Sequence, residues 1–222
     1  MFDWKWDFFW EVLPRLLSAT VNTLIAAGVG YVIALVLGLI LTLAQRTTFN
    51  ILNMMVREFV EFIRSTPLIL QIFFIFYVGP QFGIKMSPWT AGMVAIGLHY
   101  AAYLSEVYRG ALDSVPKGQW EACSALSMKT HDTYFRIIIP QALPSALAGM
   151  GNYLVGIFKD TPMLSVIGVA ELMHTANAIG SENYRFLEPL TMVGVIFLLI
   201  SIPAAGFIRV FEGWLHKKLG MK

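Results

Sequence analysis

"GQWEACSALSMKTHDTYFRIIIPQALP", residues 118–144, is a polar stretch set between two long apolar ones. It carries Glu121, Lys129, Asp132 and Arg136 and closes with Pro140 and Pro144. Residues 119–126 favour a helix of mixed small and large side chains, a surface suited to lying in a groove. Ser127 follows, a second helix-prone run extends through Arg136, and the prolines interrupt the pattern where the apolar sequence resumes. A helix–turn–helix of this kind has two readings. It is an amphipathic interfacial element joining two spans, or it is a surface offered to another protein.

The rest of the chain places that loop beside a membrane. Of 222 residues, 57% are hydrophobic and only 14% are charged, against roughly 25% charged in soluble domains. The net charge of +2 is too small to suggest nucleic acid as a partner. Cys123 is the single cysteine, so no internal disulfide framework exists. His99, His131, His174 and His216 are scattered, and no metal site is expected. The start, "MFDWKWDFFWEVLPR", is acidic and aromatic rather than basic, unlike a secretory signal. Residues 1–17 read as an interfacial segment whose rings settle at headgroup level.

A span needs about 20 mostly apolar residues. Five segments qualify, at roughly 18–44, 59–79, 88–108, 141–159 and 189–211. Helices are expected, because an open strand edge cannot be satisfied in lipid. With the N-terminus outside, ten Lys and Arg residues fall on inner loops and the tail, against five outside. That bias puts the C-terminus and the 109–140 loop in the cytoplasm. Residues 163–180 compete for a sixth span, but Glu171, His174 and Asn177 make the crossing costly. They read as a short outer helix or a partly re-entrant one. The predicted organisation is an all-α integral membrane domain over 18–216, with a basic cytoplasmic tail at 217–222.

The loop also carries a resemblance. "EACSALSMKTHDTYFRIIIP" resembles the Glu-Ala-Ala…Gly…Ile-x-Leu-Pro loop of ABC importer permeases. Glu121, Ala122, Ile137 and Pro140 match it, whereas Cys123, Ser127 and Ile139 depart from it. Ser127 in place of glycine is the sharpest departure, since glycine takes a left-handed turn at little cost and serine does not. "FIRSTPLILQIFFIFY" (62–77), "YLSEVYRGALDSVPKGQWEA" (103–122) and "FKDTPMLSVIGVAEL" (158–172) resemble the polar amino-acid branch of those permeases. Within that branch, "EFIRSTPL", "GLHYAAYLSEVYR" and "NYRFLEPLTMVGVIFLLISIPAA" look most like ectoine/hydroxyectoine permeases.

The resemblance implies a type I ABC importer permease fold with a cytoplasmic coupling helix. It implies a second permease subunit (the same chain or a related one), a dimer of ABC ATPase subunits and an extracytoplasmic substrate-binding protein. The chain itself would need no cofactor, ATP and magnesium belonging to the ATPase. Gly118, Glu121, Ala122, Ser127, Ile137 and Pro140 would form the coupling surface. No Ser–His, Cys–His, paired-carboxylate or Walker A pattern points to an enzyme in this chain.

Charged residues within spans cost roughly 2.5–3.5 kcal/mol each at the helix centre, so each needs a reason. Arg64 precedes Ser65-Thr66-Pro67, where the proline frees a backbone carbonyl that favours a cavity over lipid. The other reading of Arg64 is a side chain snorkelling to the inner interface near Arg57. Lys159 and Asp160 precede Thr161-Pro162 and read either as an outer helix flank or, on the resemblance, as part of a translocation pathway. Such a pair suits a small zwitterionic solute, ectoine or a polar amino acid, which needs both signs of charge. Arg64, Thr66, Lys159 and Asp160 are the pathway candidates. Glu61, His99, Tyr100 and Glu106 are weaker ones, and Glu106 with Arg109 reads as a local ion pair. A carrier or channel working without ATP is the competing class, although no inverted repeat is visible. A membrane enzyme is the third.

Overall fold

The computed structural model describes residues 3–218, with side chains through Trp214, and every regular element among them is helical. Residues 219–222 of the expected basic tail lie outside the described residues. The first helix, α1 (Trp6–Gln45), runs unbroken for 40 residues. At 1.5 Å per residue it is about 60 Å long, twice the roughly 30 Å hydrocarbon core. It starts at Trp6 and contains the whole apolar 18–44 segment. Trp6, Phe9 and Trp10 form its first turns and stack edge to face.

The second expected span is not one rod. Helix α2 (Asn50–Ser65) and helix α3 (Leu68–Phe73), the latter extended by a π turn and a 3₁₀ turn to Phe82, differ in direction by 106°. Pro67 causes the break: it has no N–H to continue the ladder, and it forces Thr66 to φ −109°, ψ 139°.

Helix α4 (Pro88–Asp113) starts at an N-cap, Ser87 Oγ accepting from the Thr90 N–H at 3.2 Å. It is buried along most of its length, packed against α1, α2 and α3. Small residues let α1 and α4 approach. A Cβ at Gly30 would sit 2.7 Å from Ile96 Cγ2, and one at Gly38 would sit 3.0 Å from Leu104 Cβ. Gly28, two residues earlier, faces open space.

The polar loop folds as a helix–turn–helix. Helix α5 (Lys117–Ala125) leads through a turn to α6 (Thr130–Asp132), which continues by a π turn, Thr133–Ile138, into α7 (Ile139–Asp160). A 3₁₀ turn, Thr161–Ile167, then ends at Gly168 with φ +80°. Helix α8 (Leu172–Asn183) follows at a 46° bend, capped by Glu171, whose carboxylate accepts from the Met173 and His174 N–H groups at 2.9 and 2.7 Å. The 163–180 region is thus a tight turn plus a short helix. It packs on Val12, Leu16 and Ala19 of α1 and on Met192, Val193 and Ile196 of α9 (Leu187–Lys218), at the end of the bundle that holds the N-terminus.

Among the described residues, two helices are long and apolar enough to cross a membrane, Trp6–Gln45 and Leu187–Trp214. The count rises to four if each bent pair is one span. Helix α4 is long enough but carries His99, Glu106 and Arg109, and it is shielded by its neighbours rather than by lipid.

Candidate functional site

The break at Pro67 leaves backbone carbonyls without their helical partners. The Ile63 carbonyl would accept from residue 67, which has no N–H. The Thr66 N–H reaches it at 3.4 Å, and Gln71, one turn into α3, adds a shorter bond, Nε2 donating to the Ile63 oxygen at 2.8 Å and to Thr66 Oγ1 at 2.7 Å. The Thr66 hydroxyl in turn donates to the Phe62 carbonyl at 3.0 Å. The Arg64 carbonyl is taken by the Tyr103 hydroxyl at 3.2 Å. Across the break, the Gln71 Oε1 meets His99 Nδ1 at 3.1 Å. A buried carbonyl left unpaired costs about 1–3 kcal/mol, so these side chains hold the bent geometry in place.

Around the break stands a ring cluster. Tyr100, Tyr103 and His99 from α4 meet Tyr153 from α7 with centroids 5.1 to 6.2 Å apart. One edge of the cluster is cationic: the Arg64 guanidinium lies 5.5 Å from the Tyr103 ring centroid, with Nη1 3.4 Å from Glu61 Oε2. The other edge is anionic, the Tyr100 hydroxyl donating to Asp160 Oδ2 at 2.7 Å. Gly156 makes room for this contact, since a Cβ there would lie 3.2 Å from the Tyr100 oxygen.

Arg64, Thr66 and Asp160 are therefore brought to one cluster, joined by His99 and Tyr100. Lys159 is not. It lines an open cavity of about 400 Å³ with Phe197, Ser201 and Arg209 of α9, on a different face of α7 from Asp160. The Phe158 and Phe197 rings meet at 4.8 Å, tilted by 37°, so this pair of charges stands beside α9 some ten residues after its start at Leu187. Glu61 pairs with Arg64, and Glu106 pairs with Arg109 as the i,i+3 spacing predicts. Sequence reading missed Gln71, Tyr103 and Tyr153. Gln71 carried a signal: it is the one polar residue in "LILQIFFIF", four places after the proline. The tyrosines carried none, because isolated tyrosines in apolar helices are common packing residues.

The loop candidates form a separate surface. Gly118, Glu121 and Ala122 are exposed on α5, as are Leu126 (75%) and Phe135 (62%), large apolar groups open to solvent. Cys123 is buried beneath them. Ser127 has φ 52°, the left-handed turn that glycine would fill. The Met128 N–H bonds the Cys123 carbonyl at 3.0 Å and the Ser127 N–H bonds the Ser124 carbonyl at 2.9 Å, a Schellman closure of the helix. Ile137 is half-buried and packs on Ala111, Val115, Ile138, Ala142 and Ala146, while Pro140 occupies the first turn of α7. The surface is tied rigidly to the spans. Trp120 meets Tyr134 at 5.4 Å, the Arg46 guanidinium lies 5.9 Å from the Trp120 ring, and Arg46 pairs with Asp113 at 2.8 Å.

Known proteins resemble this chain along nearly its whole length. Residues 34–217 match the family described as "Binding-protein-dependent transport system inner membrane component". The chain is 38% identical to a probable amino-acid ABC transporter permease of Sinorhizobium fredii, over 98% of this chain and 97% of that one. It is 34% identical to the glutamine transport system permease of Escherichia coli, over 95% and 97%, and 34% identical to the L-cystine transport system permease of Bacillus subtilis, over 89% and 87%. Among solved structures, it superposes on a chain from the crystal structure of an amino acid ABC transporter with histidines. The TM-score is 0.89 at 28% identity, covering 95% of this chain and 99% of that one. The chain belongs to the family of inner-membrane components of binding-protein-dependent transport systems, alongside permease subunits of amino-acid ABC transporters.

Proposed function

We propose that this chain is the permease subunit of an ATP-driven importer that carries a small zwitterionic solute through the cluster at the Pro67 break. The observation that carries this reading is the placement of Arg64 and Asp160 on opposite edges of one tyrosine cluster. A carboxylate on the solute has a cation to approach and an ammonium or amidinium has an anion, with aromatic faces between them. Lys159, in the neighbouring cavity, supplies a second cation at the same level. Ectoine and polar amino acids share the required charge separation, and the likeness to glutamine and L-cystine permeases supports a polar amino acid.

An extracytoplasmic binding protein would deliver the solute. An ABC ATPase pair, holding ATP and magnesium, would dock on the 118–140 surface, and a second permease subunit would complete the pathway. The five-span arrangement with the N-terminus outside belongs to this proposal. Thiol labelling at cysteines placed at Ser87 and Ser181 would then work from outside, and at Lys117 only after permeabilisation. Outside labelling at Lys117 in intact cells would reverse the orientation.

The direct test is uptake into vesicles holding the complete complex, comparing labelled ectoine, glutamate, glutamine, arginine and histidine. Saturable, ATP-dependent uptake of one of them, lost in Asp160→Asn, is the expected result. Full uptake in Asp160→Asn would remove the cluster from the pathway.

A further inference from the structure

Below the tyrosine cluster, toward the Gln45 end of α1, α2 and α4 face each other across a second polar space. On α4, His99, Tyr103 and Glu106 follow at helical spacing, so Glu106 lies about 10 Å along the helix from His99. On α2, Arg57, Glu61 and Arg64 make the matching stripe. Between them is a cavity of about 220 Å³, lined by Gln45, Arg57, Glu58, Glu61, Glu106 and Arg109, with Arg64 at its junction with the cluster above. That volume is below the roughly 300–1,000 Å³ of drug-sized pockets, so it admits one small solute.

The lining is poorly self-satisfied. Glu106 is held by Arg109, which also reaches Asp113 at 3.4 Å. Glu61 holds Arg64 only at 3.4 Å. Among the described residues, the Arg57 and Glu58 side chains have neither a hydrogen bond nor an ion pair, leaving one cation and one anion available on adjacent positions. Gln45 adds an independent sign. It is 6% exposed, and neither its carboxamide nitrogen nor its oxygen has a well-aligned partner, the Glu106 carboxylate being the one polar group within its reach. A buried amide that is not fully hydrogen-bonded is costly. One that lines a mixed-charge cavity is completed by a polar occupant.

We infer that this cavity is a second solute station, holding a small zwitterion with its carboxylate on Arg57 and the Gln45 amide and its cationic group on Glu58 and Glu61. The inference rests on the permease reading above and deepens it. A pathway that replaced all the water around both charges at one place would hold its solute too well. Two weak stations about one solute length apart let it leave, as multi-site occupancy does in channels.

The test is protection of an introduced thiol in the complete reconstituted complex. Cys123 is buried, so wild type gives the labelling baseline. Glu58→Cys is labelled with a cationic thiosulfonate, without ATP, in the presence of ectoine, glutamate, glutamine, arginine or histidine. Arg57→Cys, labelled with an anionic reagent, provides the same readout should Glu58→Cys fail to assemble. The transported solute, at ten times its half-saturating concentration, should slow labelling roughly tenfold. The protection should persist when Asp160→Asn is added, because the stations are separate.

Protection at Thr66→Cys without protection at position 57 or 58 would overturn the second station and leave the permease reading standing. Loss of protection at 58 on adding Asp160→Asn would also overturn it, by showing one site felt at a distance. Absence of protection at 58 and at 66 alike would remove both.

Discussion

The Tyr100 hydroxyl donates to Asp160 Oδ2 at 2.7 Å, joining the buried middle of α4 to the last residue of α7. Immediately after Asp160 the chain turns through Thr161–Ile167 toward α8, so this bond ties the end of α7 to α4. A hydrogen bond to a charged group contributes about 1.5–3 kcal/mol. Tyr100→Phe keeps the ring contacts and deletes only that bond. It should lower the apparent unfolding free energy of the purified complex by about that amount and reduce uptake. Uptake and thermal midpoint both at wild-type values would show the bond to be incidental.

Gln71 is expected to matter for geometry rather than for solute contact. Gln71→Leu leaves His99 Nδ1 without its partner and removes one bond each from Thr66 Oγ1 and from the Ile63 carbonyl, which keeps only the long Thr66 N–H contact at 3.4 Å and a shared hydroxyl. At about 1–3 kcal/mol for a buried group left unpaired, the variant should unfold several degrees earlier and lose transport. Gln71→Glu keeps an acceptor for a protonated or Nδ1–H tautomer of His99 but loses the donor to Ile63, so an intermediate loss is expected. Thermal unfolding in detergent separates the three. Equal stability in all of them would mean that the carbonyls at the break are served by something else.

Much of this fold was legible in the sequence, and the failures have local causes. The polar loop read correctly as helix–turn–helix because Ser127, Pro140 and Pro144 punctuate it. The bend at residues 66–67 was visible as a proline, but hydropathy merged α2 and α3 into one span because "LILQIFFIFY" is apolar in any direction. The 18–44 segment proved to be part of a longer helix for a related reason: charged and aromatic residues end an apolar window, yet they do not end a helix that packs on α8. At the cluster, Arg64 and Asp160 stood out because charge in an apolar run is costly. Lys159 stood out equally, and its parting from Asp160 follows from helical geometry, since adjacent residues point about 100° apart.

Ser127 offers a test of turn strain. Its φ of 52° costs a side chain roughly 1–2 kcal/mol that glycine does not pay. Ser127→Gly should keep the Schellman closure and stabilise the loop by up to about 1 kcal/mol, read as slower protease cleavage between residues 118 and 140. Ser127→Val, β-branched at the same φ, should speed cleavage and weaken coupling. The opposite order would mean that the turn adopts another conformation in the assembled complex.

The central claim is that the 118–140 surface couples this chain to an ATPase. Glu121 is exposed on α5, among Ala122, Leu126 and Phe135, and α5 is clamped to α1 and α4 through Trp120, Arg46 and Asp113. A charge buried at an interface that loses its partner costs about 2–5 kcal/mol, so Glu121→Lys should uncouple or release the ATPase without preventing insertion. The decisive measurement is solute uptake together with ATP hydrolysis in vesicles carrying Glu121→Lys, with permease content matched to wild type. Uptake abolished while the permease remains inserted is the predicted result. Wild-type uptake with the ATPase still attached would contradict the coupling role of this surface.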